Sequence, residues 1–310
     1  MTSKNKKVFI TGANGFIGAN LTKFLVSKSY HVSVLVRKKS NLWRLNKIIN
    51  DIKIYKSDIT NKNELKKIII KINPDYIIHL ASYGNSSDEN DLRKIINVDV
   101  LGLINLLDAL DKISYKKLII CGSSSEYGFK NKPMSETDYL NPNSYYSAAK
   151  GAATLLAQSC ALKKNKPIVI LRPFSVYGPL EEINRLIPTI IRKAIKNEKI
   201  FVTKEVVKRD FVFIDDTINA FYKTMTTKIN NGEIINIGTG KQYSNMEIVK
   251  IIEKILKVKL KLGVFQKRSW DTNNWISDNS KAKKLLKWNP KYSIKQGLKN
   301  TIEWYIKNNS

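Results

Sequence analysis

In the stretch YYSAAK, Tyr146 and Lys150 stand four residues apart, and on a helix that spacing puts a phenol and an ammonium on one face. A tyrosine near its reference pKa of about 10 is a poor base at neutral pH, but a neighbouring cation and an oxidised nicotinamide both favour the phenolate. Such a group would remove a hydroxyl proton as hydride leaves the same carbon, or return one in the reverse step. The spacing alone carries little, because 14 tyrosines among 54 Lys and Arg supply roughly two such pairs by chance. Position carries more. The pair follows CGSSSEYG (121–128), a serine cluster at the C-terminal end of a strand-like run, where ligands sit in open α/β sheets.

A second candidate lies near the N-terminus. In VFITGANGFIGANL (8–21), Gly12, Gly15 and Gly18 follow an apolar run and lead into a helical pattern. Glycine lets the backbone turn sharply and approach a pyrophosphate, and the helix N-terminus offers free N–H groups and a positive dipole end. The same letters also fit a turn that binds nothing. The next strand-like run ends in VLVRKKSN, where Arg37, Lys38 and Lys39 occupy the position at which an NAD site carries Asp or Glu for the ribose 2′-OH. Basic residues there favour a 2′-phosphate, hence NADP. Lysines are everywhere in this chain, so Arg37 carries most of that signal.

The elements that must position these groups are legible as alternating runs. VFIT (8–11), VSVLV (32–36), IKIY (52–55), YIIHLA (76–81), KLIIC (117–121) and IVILR (168–172) read as strands, with helical patterns near 16–28, 61–72, 91–111 and 145–163. That alternation predicts βαβ units and a Rossmann-type, doubly wound parallel sheet. After residue 172 the pattern loosens around Pro173, Gly178, Pro179 and Pro188, with shorter strands near 200–203, 211–213 and 234–237. The expected organisation is a dinucleotide-binding domain over 1–172 and a smaller, interleaved lobe over 173–310, some of whose segments return to the main domain.

Composition bounds the alternatives. A chain of 310 residues can bury a large core and is not a peptide hormone or a lone binding module. Cys121 and Cys160 cannot make a disulfide framework and lack zinc-site spacing, so a reducing cytoplasm fits. No apolar run approaches the ~20 residues of a membrane span, and no cleavage-like region follows the N-terminus. A net charge of +28 raises nucleic acid as a partner, but the lysines are spread along polar helix faces, as in NELKKIIIKIN (63–73), with no basic tail. Lys, Asn and Ile abundant together point to AT-rich codons with lysine as the default surface residue. A phosphate-bearing small molecule would also welcome the field.

Nine ordered stretches together resemble the extended short-chain dehydrogenase/reductase family, in its branch acting on nucleotide-activated sugars. They are TGANGFIG (11–18), Asp58 in SDIT, HLAS (79–82), Asn97 in NVDVLGLINLL, SSSEYG (123–128), YSAAK (146–150), LRPFSVYGP (171–179), RDFVFIDD (209–216) and NIGTG (236–240). The resemblance covers nearly the whole chain and implies a cofactor site. Gly12, Asn14, Gly15, Phe16, Ile17 and Gly18 would line the pyrophosphate, with Arg37 and Lys38 at the ribose. Asp58 and Ile59 would hold the adenine, and Leu80, Ala81 and Ser82 the cofactor's middle, with Asn97 also binding the cofactor. Lys150 would hold the nicotinamide ribose, and Pro173, Phe174 and Val176 would flank the nicotinamide. Tyr146 would carry the proton.

The resemblance also implies a substrate, a nucleotide-diphosphate sugar, contacted by Tyr83, Ser124, Ser125 and Ser175, with Arg185, Arg209 and Arg268 on its diphosphate. A serine hydroxyl would bond the reacting sugar oxygen. Ser124 is the choice, with Ser123 and Ser125 open, because SSSEYG reads one residue shorter than the forms of many relatives. Glu126 would serve a dehydratase if the missing residue lies after it. The shortened form resembles 4-keto-6-deoxy-sugar reductases, such as those making GDP-rhamnose or CDP-abequose, and NADP agrees with reduction. A 4-epimerase, a 4,6-dehydratase and a non-catalytic NADP binder are the alternatives. His79 reads as a structural histidine, no metal is called for, and the family implies a homodimer through the helices near 91–111 and 145–163.

Overall fold

The computed structural model describes residues 6–84, 90–203, 206–265 and 271–308. In chain order the elements are β1 (Lys7–Thr11), α1 (Phe16–Ser27), β2 (His31–Val36), β3 (Ile52–Lys56), α2 (Lys62–Ile72), β4 (Tyr76–His79), α3 (Leu92–Ile95), α4 (Gly102–Leu110), β5 (Lys117–Cys121), α5 (Tyr145–Lys163) and β6 (Ile168–Pro173). There follow β7 (Ser175–Tyr177), α6 (Leu186–Ile195), β8 (Ile200–Thr203), β9 (Lys208–Arg209), β10 (Phe211–Phe213), α7 (Ile214–Thr226), β11 (Glu233–Ile237), β12 (Tyr243–Ser244), α8 (Asn245–Leu256), β13 (Leu262–Phe265), α9 (Ser280–Leu286) and α10 (Ile294–Asn308).

Seven strands form the main sheet in the order β11-β6-β5-β4-β1-β2-β3. β1 pairs in parallel with β2 and β4, β2 with β3, β4 with β5, and β5 with β6. The first strand crossing reverses at β1, so the ends of β1 and β4 diverge at a topological switch point. Strands buried on both faces read as apolar runs, and Val8, Phe9 and Ile10 of β1 are fully buried, as are Ile77 and Ile78 of β4.

The chain forms two compact units. One comprises Met1–Gly128, Leu140–Arg172 and Ile218–Ile235, the other Phe129–Tyr139, Pro173–Thr217 and Asn236–Ser310. In the first, α5 begins at a capping box in which the Ser144 hydroxyl accepts from the Ser147 N–H. It then buries Ala149, Ala153, Ala157 and Ala161 along one face. The last three of these small side chains join a cluster with Leu118, Ile120, Ile168 and Ile170 of β5 and β6. The helical stretch expected over 91–111 is interrupted between α3 and α4 by a π turn, Ile96–Leu101, which adds a residue per turn and rotates the side chains that follow.

The second unit is built from short pairs, β7 with β10 and β8 with β13 in parallel and β9 with β12 antiparallel. Its IDD stretch has a structural job: Asp216 accepts from the N–H groups of Lys291 (2.8 Å) and Tyr292 (3.1 Å), and its carbonyl accepts from the fully buried Trp288 indole (3.0 Å). Among the described residues no helix is long and apolar enough to cross a membrane.

Candidate active site

The glycine loop joins β1 to α1. Gly12 has a φ of +72°, and a Cβ on it would lie 2.5 Å from the Leu80–Ala81 peptide, so only glycine lets the loop rest on the exit of β4. A Cβ on Gly18 would sit 2.2 Å from the Gly12 carbonyl oxygen. Gly15 differs. Its φ of −78° suits any residue, and its Cβ would meet only the Gly12 oxygen, at 3.3 Å. Internal packing therefore accounts for two of the three glycines and leaves a shallow cradle at the third. Gly15 is also the N-cap of α1, with no side-chain cap, whereas Asn61, Ser144 and Ser244 cap α2, α5 and α8. The N–H groups of Phe16, Ile17 and Gly18 thus open a helix whose first turn holds no acid. A bound pyrophosphate fits this donor set.

Beyond β2, Arg37, Lys38 and Lys39 are exposed. The chain then enters a 3₁₀ segment, Trp43–Asp51, and delivers a cation that sequence reasoning missed. Arg44 is 7% exposed, stacks 4.5 Å over the Trp43 ring, and donates from Nη1 to the Asn14 carbonyl of the glycine loop at 3.4 Å. Burial, then repulsion by Lys47 and Arg44, lowers the pKa of nearby Lys23, so this corner is positive. Asp58 is half-buried, with Oδ1 accepting from the Thr60 N–H and hydroxyl. Ile59 is buried, packed where a Cβ on Gly102 would stand 2.8 Å away. Leu80 and Ala81 follow β4, half-buried over the glycine loop.

The proton-handling groups come from two elements of the first unit. Tyr146 and Lys150 lie in the first turns of α5, Tyr146 half-buried and Lys150 buried, while the neighbouring Tyr145 is 56% exposed. The Lys150 ammonium donates to the Cys121 carbonyl at the end of β5 at 2.5 Å. The Ser123 hydroxyl hydrogen-bonds the Tyr146 phenol. Ser124 is turned into the protein at 6% exposure. The reason is local: Ser123 N-caps the 3₁₀ turn Ser124–Tyr127, and its hydroxyl lies 2.7 Å from that of Ser125, so alternate serines share one side. Burial raises the Tyr146 pKa; Lys150 and Ser123 pull it down, while Asp99 and Cys121 push it further up.

Asn97, expected at the cofactor, is exposed. The π turn brings in Asp99 instead, 3% exposed, with Oδ1 accepting from the Ser82 hydroxyl (2.5 Å) and Oδ2 from the Tyr83 N–H (2.9 Å). Its Oδ1 stands 3.9 Å from the Lys150 ammonium. Sequence reasoning missed Asp99, although it is the lone acid in the run INVDVLGLINLL, which was the available signal.

Glu126 has a structural role. It is fully buried, accepts from the Arg172 Nε (2.8 Å), the Ser123 N–H (2.7 Å) and the Thr154 hydroxyl (3.1 Å), and so pins the serine turn to α5 and β6. Arg172 also donates to the Tyr127 hydroxyl at 2.9 Å. Burial pushes the Glu126 carboxyl up against the pull of Arg172. His79 is buried, 2.7 Å from the Thr11 hydroxyl, and burial holds its pKa down to about 3.

In the second unit, Pro173 and Phe174 are buried, and the Phe174 N–H donates to Ile237 O at 2.9 Å. Ser175 and Val176 are half-buried in β7, with the Ser175 N–H on Asp210 O at 3.0 Å. Arg185 is half-buried at the N-cap of α6. Arg209 is held by the Lys208 carbonyl (2.8 Å) and Asp271 (3.5 Å), with its guanidinium 5.2 Å over Trp275. Arg268 lies outside the described residues. Asp210, fully buried, accepts from Thr239, Gly240 and Ser277 and ties NIGTG into place.

Comparison with known proteins supplies a further line of observation. A family model described as NAD dependent epimerase/dehydratase family matches residues 8–238. The chain is 31% identical over 312 residues to the UDP-glucuronate 4-epimerase of Thermodesulfobacterium geofontis, covering 96% of either sequence. It is 26% identical over 334 residues to the dTDP-glucose 4,6-dehydratase of Haemophilus influenzae, covering 98% of each. Among solved structures, the UDP-glucuronic acid 4-epimerase of Bacillus cereus, in complex with UDP-glucuronic acid and NAD, matches with a TM-score of 0.88 at 28% identity, covering 97% of this chain and 99% of that one.

Proposed function

Since the chain belongs to the NAD dependent epimerase/dehydratase family, we propose that it exchanges a hydride between a nicotinamide cofactor and one carbon of a nucleotide-diphosphate sugar, with Tyr146 carrying the proton of the oxygen on that carbon. The carrying observation is the meeting of Ser123, Tyr146 and Lys150 at the ends of β5 and α5. Gly12, Gly15 and Gly18 with the first turn of α1 would hold the pyrophosphate, and Asp58, Ile59, Leu80, Ala81 and Ser82 the rest of the cofactor; when bound, the nicotinamide supplies or accepts the hydride. Ser123 would orient the sugar oxygen. Lys150 would steady the ribose and the charge on Tyr146. Tyr83, Ser125 and Ser175 keep their proposed role at the sugar, and Arg185, Arg209 and Arg268 theirs at the diphosphate.

The direction we favour is reduction of a 4-keto-6-deoxy-hexose by NADPH. Three cations support it, Arg37, Lys38 and Arg44, in a corner where sequence gives β2 no terminal carboxylate. Dehydration loses support because Glu126 is locked in its ion pair with Arg172. A 4-epimerase cycling bound NAD is the second reading, favoured by the relative of that activity and by the NAD in its Bacillus cereus counterpart. Apolar side chains exposed on α3, the π turn and α5, Leu92, Ile96, Leu101, Leu155, Leu156 and Leu162, support a homodimer through those helices, and two free cysteines suit a cytoplasmic protein.

The deciding experiment incubates the protein with NADPH or NADH and UDP-, dTDP-, CDP- and GDP-linked sugars and their 4-keto derivatives. Stoichiometric loss of reduced-nicotinamide absorbance identifies the reductase; interconversion of 4-epimers without net loss identifies the epimerase. Neither change with any sugar refutes hydride transfer.

A further inference from the structure

Asp99 has an unusual address for a carboxylate. It is buried in a π turn, a geometry that clusters at functional sites because the inserted residue re-aims its neighbours. Both of its oxygens accept hydrogen bonds, from the Ser82 hydroxyl and the Tyr83 N–H, a pattern suited to the ionised form, which only accepts. The Lys150 ammonium stands 3.9 Å away, and the side chains of that pair are 7% and 0% exposed. A buried carboxylate so near an ammonium is screened little by water.

We infer that Asp99 is a positioning residue that fixes Lys150 and offsets its charge, so that Tyr146 rests as a phenol and serves first as a proton donor. The inference rests on the reading of Tyr146 as the proton carrier. Lys150 alone would stabilise the phenolate four residues away on its own helix face. A carboxylate 3.9 Å from the ammonium cancels part of that field and repels the phenolate directly. The other groups around the pair do not substitute for it. Ser123, from the serine turn, favours the phenolate; Cys121, from β5, opposes it, and burial pushes its thiol up to about 11, which keeps it neutral. Glu126, from the same serine turn, acts on Lys150 but is engaged by Arg172. His79, from β4, is held neutral by burial. Asp99 is thus the charge whose removal changes Tyr146 without dismantling the serine turn.

Asp99→Asn tests this, because the amide keeps one acceptor for the Tyr83 N–H and can donate to Ser82 Oγ. Asp99→Ser is a second neutral variant of different size. Each is made with and without Tyr146→Phe, and tyrosinate absorbance is titrated with saturating NAD, up to the pH at which circular dichroism begins to fall; subtraction isolates Tyr146. Removing a like charge at this range lowers the midpoint by roughly one pH unit, about tenfold more phenolate below it. Both neutral variants should show the same downward shift, and a variant midpoint inside the range with the wild type beyond it counts as that shift. Midpoints equal to wild type, or Tyr146 silent throughout in all three proteins, overturn the inference, as does a shift in one neutral variant only. Failure of the underlying reading looks different: Tyr146→Phe would retain sugar turnover, whatever the midpoints.

Discussion

Replacing Gly15 by alanine separates a cofactor cradle from an ordinary turn, because the three glycines of the loop meet different surroundings. At Gly15 the backbone lies at φ −78° and ψ 175°, open to alanine. Freezing a less flexible unfolded chain favours the substitution by about 0.4–1 kcal/mol, and losing glycine at an uncapped N-cap costs a similar amount. The two nearly cancel, so Tm should move by less than about 4 °C. The new methyl, 3.3 Å from the Gly12 oxygen, nevertheless stands on the residue that opens α1, beside the N–H groups of its first turn. A pyrophosphate pushed off even one of those donors loses a charge-assisted hydrogen bond, about 1.5–3 kcal/mol, or roughly 10- to 150-fold in Kd. Gly18→Ala is the contrast, since its Cβ would lie 2.2 Å from Gly12 O; the backbone must shift, at about 1–3 kcal/mol or more. Calorimetric titration with NAD and NADP beside thermal unfolding measures both. Unchanged affinity in Gly15→Ala refutes the cradle, and an unaltered Tm in Gly18→Ala refutes the loop geometry.

Tyr146→Phe should cut turnover ~10²–10⁴-fold with cofactor affinity nearly intact, while Tyr145→Phe, on an exposed ring, has little effect; steady-state kinetics on whichever sugar turns over decides, and equal losses would break the register of α5. Arg37→Asp should shift preference from NADP toward NAD. Arg44→Ala should weaken NADP about tenfold or more with a smaller effect on NAD, and equal losses for both cofactors in competitive titrations would remove the arginines from the 2′-phosphate. His79 is neutral in the folded chain, its pKa lowered from 6.5 to about 3, so its contribution is complete above pH 6.5 and declines as the pH falls toward 3 by up to about 1.4 kcal/mol per unit. Denaturant melts at pH 6.5 and 4.5 should therefore diverge more for wild type than for His79→Asn.

The strands and helices of the first unit were legible because their side chains obey a fixed period, and the period is set by which faces are buried. All six expected strands up to residue 172 coincide with β1 to β6 within a few residues. The tight turn of the glycine loop was legible in its backbone needs, as at Gly12 and Gly18. Site residues were not legible where a local irregularity changes the count. The π turn buries Asp99 while Asn97 stays exposed, and no single-sequence period announces an inserted residue. In the serine cluster, three identical letters hide a cap: Ser123 lies outside the 3₁₀ turn and is half-buried, while Ser124 lies inside it and is buried. Arg44 was hidden because nothing in the letters WRLNKIIND sets it apart from the chain's many surface cations, although the structure buries it.

Charge misleads in the same way when it is counted rather than located. The excess of 54 cations over 26 acids suggests a polyanion as partner, yet the acids are unevenly used. Asp99, Glu126, Asp210 and Asp216 are all buried, and each organises a different join: π turn to α5, serine turn to β6, Asp210 to NIGTG and Ser277, α7 to the Trp288–Tyr292 stretch. A buried carboxylate that loses its hydrogen-bonded partner leaves an uncompensated charge, at about 3–5 kcal/mol, far more than any surface lysine pair contributes. In a lysine-rich chain the scarce acids are therefore where both the fold and the proton chemistry are most sensitive. Surface lysines away from the exit of β2 contribute little, while Asp99, one acid in an apolar run, stands buried 3.9 Å from the Lys150 ammonium.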